Sequence, residues 1–353
     1  MPVTAVTYHP MCLKHEPMGD HPENKHRLEY ILTTLRNLNV PDIPILTPEK
    51  PAPINYVELI HPKEHIKKVF RICNRGGGYL NDFETFASSE SCDAALYAIS
   101  SIFHAIDLIE KNKIKNAFAA IRPPGHHATA TRSQGFCIFN NVAIAARYVQ
   151  KEYNAKKVMI VDIDAHHGNG TQEIFYTDPS VLYVGFHQDG RTLYPGTGFF
   201  DEIGAKRGLG FNVNIPMPPN AMDRHYMKAL NKIIKPIAHQ YSPDYILVSA
   251  GFDAHFLDNI SSLFLTSQGY GKIASFLVDL AREVSDNKLV YILEGGYHPQ
   301  GLAHSAVNSI FALANKPLPF NDPLPRKQNE EVDKYISSLL NKIVKLLSRF
   351  WSF

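Results

Sequence analysis

Five short apolar runs constrain this chain most: 117-AFAAI-121, 158-VMIVDI-163, 181-VLYVGF-186, 245-YILVSA-250 and 289-LVYIL-293. Each has the length of a strand, and near-continuous hydrophobicity marks a strand covered on both faces. Between them, 92-CDAALYAISSIFHAIDLIEK-111, 140-NNVAIAARYVQKEY-153, 223-DRHYMKALNKIIKPIAHQY-241 and 270-YGKIASFLVDLAREV-284 repeat apolar residues at helical spacing. Strands alternating with helices predict an α/β fold built on an open, mostly parallel sheet with helices on both faces.

With 353 residues, 44% of them hydrophobic, the chain can bury a large core. Its formal net charge of +2 and the lack of a basic stretch with interleaved aromatics argue against direct nucleic-acid binding. The first residues carry no signal-peptide pattern, and no run of ~18 consecutive apolar residues predicts a membrane span. The four cysteines, Cys12, Cys73, Cys92 and Cys137, form no CxxC pair. They read as free thiols in a reducing compartment, hence a soluble, cytoplasmic chain, with nuclear or host-delivered locations also compatible.

Residues 41-PDIPILTPEKPAP-53 read as a surface connection, and 317-PLPFNDPLPR-326 as a domain end. The expected division is a catalytic domain over 1–320, then a proline-containing linker and an amphipathic helix over 321–353. In that helix Ile336, Leu339, Leu340, Ile343, Leu347 and Phe350 form one stripe. Such a stripe docks on its own domain or on a sister subunit, making a homo-oligomer; a membrane surface or another partner is the other cover.

Polar clusters follow four of the five runs: 122-RPPGHHA-128, 164-DAHHGNG-170, 251-GFD-253 and 294-EGGY-297. Ligands of open α/β sheets bind outside the carboxyl ends of the strands. If the chain stays extended past Asp162, Asp164 and His166 share a face and grip one ion, with Asp253 arriving from another strand. One imidazole and two carboxylates leave a coordination position open, the mark of a catalytic Zn²⁺ site.

The set RPPGHHA, DIDAHHGNGTQ, LYPGTG, AGFDAH and LEGGY resembles the histone deacetylase family, including acetylpolyamine amidohydrolases, over roughly residues 1–315. HHGNGTQ, GFCIFNN and LEGGY are more similar to class II members. The resemblance implies an arginase/deacetylase-type fold and one Zn²⁺ held by Asp164, His166 and Asp253. Gly168 and Gly251 stand where two-metal arginase-type relatives carry carboxylates. It further implies that His127 is the general base and acid and that His126 tunes its field. Asp162 partners His126 and helps bind a structural K⁺ near His187. Asn169 stands where class I members have Asp, and a neutral partner leaves His127 easier to deprotonate. Tyr297 matches the donor to the oxyanion, Gly135, Phe136 and Tyr194 match the substrate channel, and Arg27 matches the arginine at the acetate exit. Asp82 and Glu84 remain open as rim carboxylates. Cys137, beside the channel wall, reads as an inert buried thiol.

The activity so implied is zinc-dependent hydrolysis of N-acetyl-lysine side chains in proteins. The second reading is deacetylation of small cationic amides such as acetylpolyamines. That would call on carboxylates around the mouth, for which Glu16, Asp20, Glu23, Asp82, Glu84 and Asp258 are the candidates. Ile260, where some polyamine-selective relatives place Glu, weighs against it. A third reading is an acetyl-lysine binder without hydrolysis.

Overall fold

The computed structural model describes residues 3–17, 19–323 and 329–353. Among the described residues ten strands form: β1 Val3–Thr7, β2 Ile45–Leu46, β3 Gly77–Tyr79, β4 Phe86–Ser88, β5 Ile114–Ala119, β6 Val158–Asp162, β7 Val181–Gln188, β8 Asn212–Met217, β9 Tyr245–Ala250 and β10 Leu289–Leu293. Eight make one sheet in the order β2-β1-β5-β10-β9-β6-β7-β8, with every pairing parallel. β3 and β4 form a separate antiparallel hairpin. Every residue of β6, β7, β8, β9 and β10 is buried. Successive side chains point to opposite faces, so both faces of the sheet are covered.

The covering helices include Ser91–Glu110, Asn141–Glu152, Ser267–Val284 and Pro299–Leu313. Asn140 and Thr266 start two of them, their side-chain oxygens accepting from the backbone N–H of Ala143 and Gly269. By length and composition, Ser91–Glu110 is the one helix among the described residues suited to crossing a bilayer, yet 72% of its apolar window is buried in this fold.

The helix expected over 223–241 is interrupted: Asp223–Ala229 and Lys235–Tyr241 flank a π-helical turn at Leu230–Ile234. Pro236 has no N–H to continue the α-helical ladder, and a wider turn absorbs the break. β8 had no strong signal in the sequence, because Asn212 and Asn214 interrupt its apolar run.

One expectation is corrected. Cys73 and Cys92 are paired as a disulfide, with Cα atoms 6.4 Å apart, and only Cys12 and Cys137 are free. Their spacing of 19 residues hid a contact made by the meeting of two helices, and the thiol count no longer argues for a reducing compartment. Of the covers expected for the C-terminal stripe, its own domain is the one the structure supplies. In the helix Glu330–Leu347, Ile336, Leu339, Leu340, Ile343 and Leu347 are at most 5% exposed, whereas Phe350, beyond its end, is 36% exposed. Asp333 pairs with Arg224 (3.0 Å) and His225 (2.7 Å), and Trp351 Nε1 donates to Gly210 O. That stripe is therefore not a free surface for a sister subunit or a membrane. Asp322 accepts from Ser267 N and lies 3.0 Å from His255 Nε2, so the chain just past residue 320 is tied to the main body. Residues 324–326 of the second proline-rich stretch lie outside the described residues.

Candidate metal centre and channel

The four polar clusters meet because β5, β10, β9 and β6 are neighbours in the sheet although far apart in sequence. β6 ends at Asp162, and the chain bends rather than running on extended. In that bend the backbone N–H of Asp164 donates to Asp162 Oδ1 and that of His166 to Asp164 Oδ1 (2.8 Å). The turn, and not a continued strand face, aims Asp164 and His166 together.

His166 Nδ1 lies 3.1 Å from Asp164 Oδ1 and 2.9 Å from Asp253 Oδ2. Candidate ligand atoms of these three buried residues all lie within 4.8 Å of one another, close enough to hold a metal ion. Backbone donors orient both carboxylates: Gly295 N to Asp164 Oδ2 and Ala165 N to Asp253 Oδ1. Burial, and then the charge of Asp164, pushes the Asp253 carboxyl up. A Cβ on Gly251 would lie 2.0 Å from Asp164 Oδ2, and one on Gly168 2.1 Å from Asp162 Oδ2. Neither position has room for a further carboxylate.

The tandem histidines differ in their partners. His126 Nδ1 lies 3.0 Å from Asp162 Oδ2. Burial opposes its charge, but Asp162, Asp164 and Glu294 outweigh burial and hold it well above the usual imidazole range. His127 Nδ1 lies 2.8 Å from Asn169 Oδ1. Burial, with His126 and His166 nearby, holds His127 well below that range. A donor proton on Nδ1 of His127 leaves its Nε2 as the bare nitrogen.

A pocket of about 250 Å³ is lined by Glu84, His127, Gly135, Phe136, His166, Leu193, Tyr194, Ile260 and Tyr297. The Tyr194 ring stands edge-on to His127 at 5.1 Å, and Phe136 stands edge-on to Tyr297 at 6.0 Å. Gly135 has φ +57°, and a Cβ there would lie 2.5 Å from the His127 ring, so only glycine lets the wall approach the imidazole. Burial raises the Tyr297 hydroxyl well above its usual range, so it stays protonated as a donor. Arg27 packs over the Tyr297 ring at 5.0 Å and donates to Gly296 O, Glu294 O and Glu23, so its fork grips the turn leading into Tyr297. His187 stands apart from the pocket, donating through Nε2 to Gly198 O beside His167.

Three candidates for the channel mouth are already engaged. Glu23 is fully buried between Arg122, Arg27 and His15. Despite its burial, Arg122 and His15 hold its carboxyl well below the usual range. Asp258 accepts from the backbone N–H of Tyr297 (2.6 Å) and His298 (3.0 Å). Asp82 ties its own loop to the channel wall, accepting from Thr85 N and Gly135 N. Glu84 is the acidic side chain that lines the pocket. Sequence reasoning assigned no role to Arg122, His15 or Glu294. Glu294 accepts from Gly125 N, His126 N and the Ser249 hydroxyl, fixing the turn that carries both histidines. Its place between a strand and the GGY turn was the available signal.

The histone deacetylase domain, as a family profile, matches residues 21–313. The chain belongs to the histone deacetylase family. A "Probable deacetylase" of Archaeoglobus fulgidus (strain ATCC 49558 / DSM 4304 / JCM 9628 / NBRC 100126 / VC-16) is 40% identical over 316 residues, covering 88% of this chain and 86% of that protein. "Histone deacetylase 10, chloroplastic" of Oryza sativa subsp. japonica is 33% identical, covering 89% and 76%. The solved "HDA15 HD domain" superposes with a TM-score of 0.88 at 33% identity, covering 99% of this chain and 95% of that one. The fold is that of a histone deacetylase, and the chain is a deacetylase of this family.

Proposed function

We propose that this chain hydrolyses N-acetyl-lysine side chains of polypeptides, releasing acetate and free lysine, with one Zn²⁺ held by Asp164, His166 and Asp253. One observation carries the reading: His166 of the chelating group, His127 and Tyr297 line a single narrow pocket with two aromatic walls. Such walls suit the slender aliphatic stem of lysine. The donor set fits a divalent cation, because two buried carboxylates beside one imidazole repel each other until a positive charge lies between them.

When bound, the ion would polarise the acyl carbonyl and lower the pKa of a water to about 7. His127 Nε2 takes a proton from the attacking water and returns it to the departing lysine nitrogen. Asn169 keeps the Nδ1–H tautomer in place. His126, charged beside Asp162, disfavours a second positive charge on His127 and keeps it a neutral base at rest. Tyr297 donates its hydroxyl hydrogen to the oxygen that gains negative charge. Arg27 lies behind this tyrosine, where an exit for acetate would run. A structural K⁺ would draw on Asp162 and on backbone carbonyls near Gly185, Phe186 and His187, outside the residues that line the pocket, and takes no part in the proton transfers.

Acetylpolyamines would need several carboxylates at the mouth. Glu84 is the one lining the pocket, with Glu23 and Asp258 committed elsewhere. The test is metal analysis joined to a substrate panel. About one zinc per chain and faster turnover of an acetyl-lysine peptide than of acetylputrescine are expected. Asp253→Ala should lose both metal and turnover. Turnover that persists without the metal, or a preference for acetylputrescine, sinks the reading.

A further inference from the structure

Phe83 is 92% exposed; the next most exposed large apolar side chain among the described residues is Tyr79 at 54%. An exposed phenyl ring forgoes the stabilisation that burial gives, so a rigidly presented one points to a contact made outside the chain. The loop that carries it is firmly held. Asp82 Oδ1 accepts from the backbone N–H of Glu84 (3.1 Å) and Thr85 (2.5 Å). Asp82 Oδ2 accepts from Gly135 N (3.2 Å) and from the Thr85 hydroxyl (3.1 Å), while Thr85 Oγ1 accepts from Phe136 N (3.0 Å). His21 Nε2 lies 3.2 Å from Glu84 O on the other side.

The same loop therefore fixes the channel wall at Gly135 and Phe136 and presents Phe83 outward. Glu84, next in sequence, lines the pocket itself. Consecutive Cα atoms lie about 3.8 Å apart, which puts the Phe83 backbone at the lip of the channel. In an extended peptide, residues two apart lie about 7 Å from each other on the same side. A ring at the lip thus reaches side chains flanking a lysine whose stem fills the channel.

We propose that Phe83 is a specificity-determining contact for polypeptide substrates, packing against an apolar or aromatic side chain within about two residues of the acylated lysine. The proposal rests on the acetyl-lysine hydrolase reading above and deepens it. Glu84 beside the ring adds a negative charge at the lip, which disfavours acidic flanking residues.

Two matched peptides test it with the zinc-loaded full chain, one carrying Phe and the other Ser two residues from acetyl-lysine. The readout is the ratio of their kcat/KM values. Wild type should favour the Phe peptide about tenfold, equivalent to about 1.4 kcal/mol. Phe83→Ala should bring the ratio near one, and Phe83→Leu should keep part of it. A thermal melt of each variant monitors the fold. A wild-type ratio near one overturns the proposal, and so does a ratio unchanged in Phe83→Ala. It is equally overturned if Phe83→Ala leaves the ratio alone but changes the oligomeric state, because the ring would then serve contact between copies. Failure of wild type to process either peptide overturns the hydrolase reading itself, and this inference with it.

Discussion

The floor of the channel and its lip are built on opposite terms. At the floor, His126, His127, Asp162, Asp164, His166 and Asp253 are at most 7% exposed, and each side chain has a named polar partner. Glu23, behind it, is also buried and bonded to both Arg122 and Arg27. At the lip, Phe83 is almost wholly exposed and Tyr194 is 45% exposed. A site buried this deeply tolerates little change, because each polar group removed leaves another unpaired. A lip made of exposed rings can vary without unpairing anything. On the proposed reading, chemistry is lodged where substitution is costly and selectivity where it is cheap.

That contrast can be broken or sharpened at three places in the floor. His127→Ala should lower kcat ~10²–10⁴-fold while zinc content, measured by mass spectrometry, stays near one per chain. A near-normal rate would remove His127 from the proton-transfer role. Glu23→Ala strands Arg122 and Arg27 without a counter-charge and should destabilise the fold by about 3–5 kcal/mol in denaturant titration. A change below about 1 kcal/mol would show that the region behind the floor is as tolerant as the lip. Asn169→Asp places an anion beside His127 Nδ1–H, stabilises the imidazolium and raises the pKa of a base that must be neutral to act. The acid limb of the kcat/KM profile should move to higher pH by about one unit. An unmoved limb would mean that another group sets it.

The same contrast decides what could be read from the sequence. Asp162, Asp164, His166 and Asp253 stood out because carboxylates and imidazoles at the end of a buried apolar run have few structural uses. The strands β6, β9 and β10 were visible for the same reason, being unbroken apolar segments between turns. The edges were not: β2 has two residues, and β8 carries Asn212 and Asn214. Glu23 looked like a surface acid because nothing local announces that Arg122, 99 residues later, will meet it in the core. The Cys73–Cys92 pairing was hidden likewise, since it depends on how two helices meet. Phe83 lies in an aperiodic loop, where an apolar residue reads equally well as buried or exposed. Local pattern reports what a segment needs; it does not report which distant segment supplies it.

The strand order has a consequence for how the centre comes into being. β2, β1 and β5 make one half-sheet, β9, β6, β7 and β8 another, and β10 is the strand that joins them. The tandem histidines follow β5 on one side of this seam, and the chelating residues follow β6 and β9 on the other. Without residues 289–293 no strand pairs β5 with β9, and the two halves have no shared hydrogen-bonded edge. The tandem histidines and the Asp164–His166–Asp253 group are brought side by side only through that strand, which also leads into Tyr297. Assembly of the candidate centre therefore hangs on one five-residue keystone, encoded near the end of the matched domain.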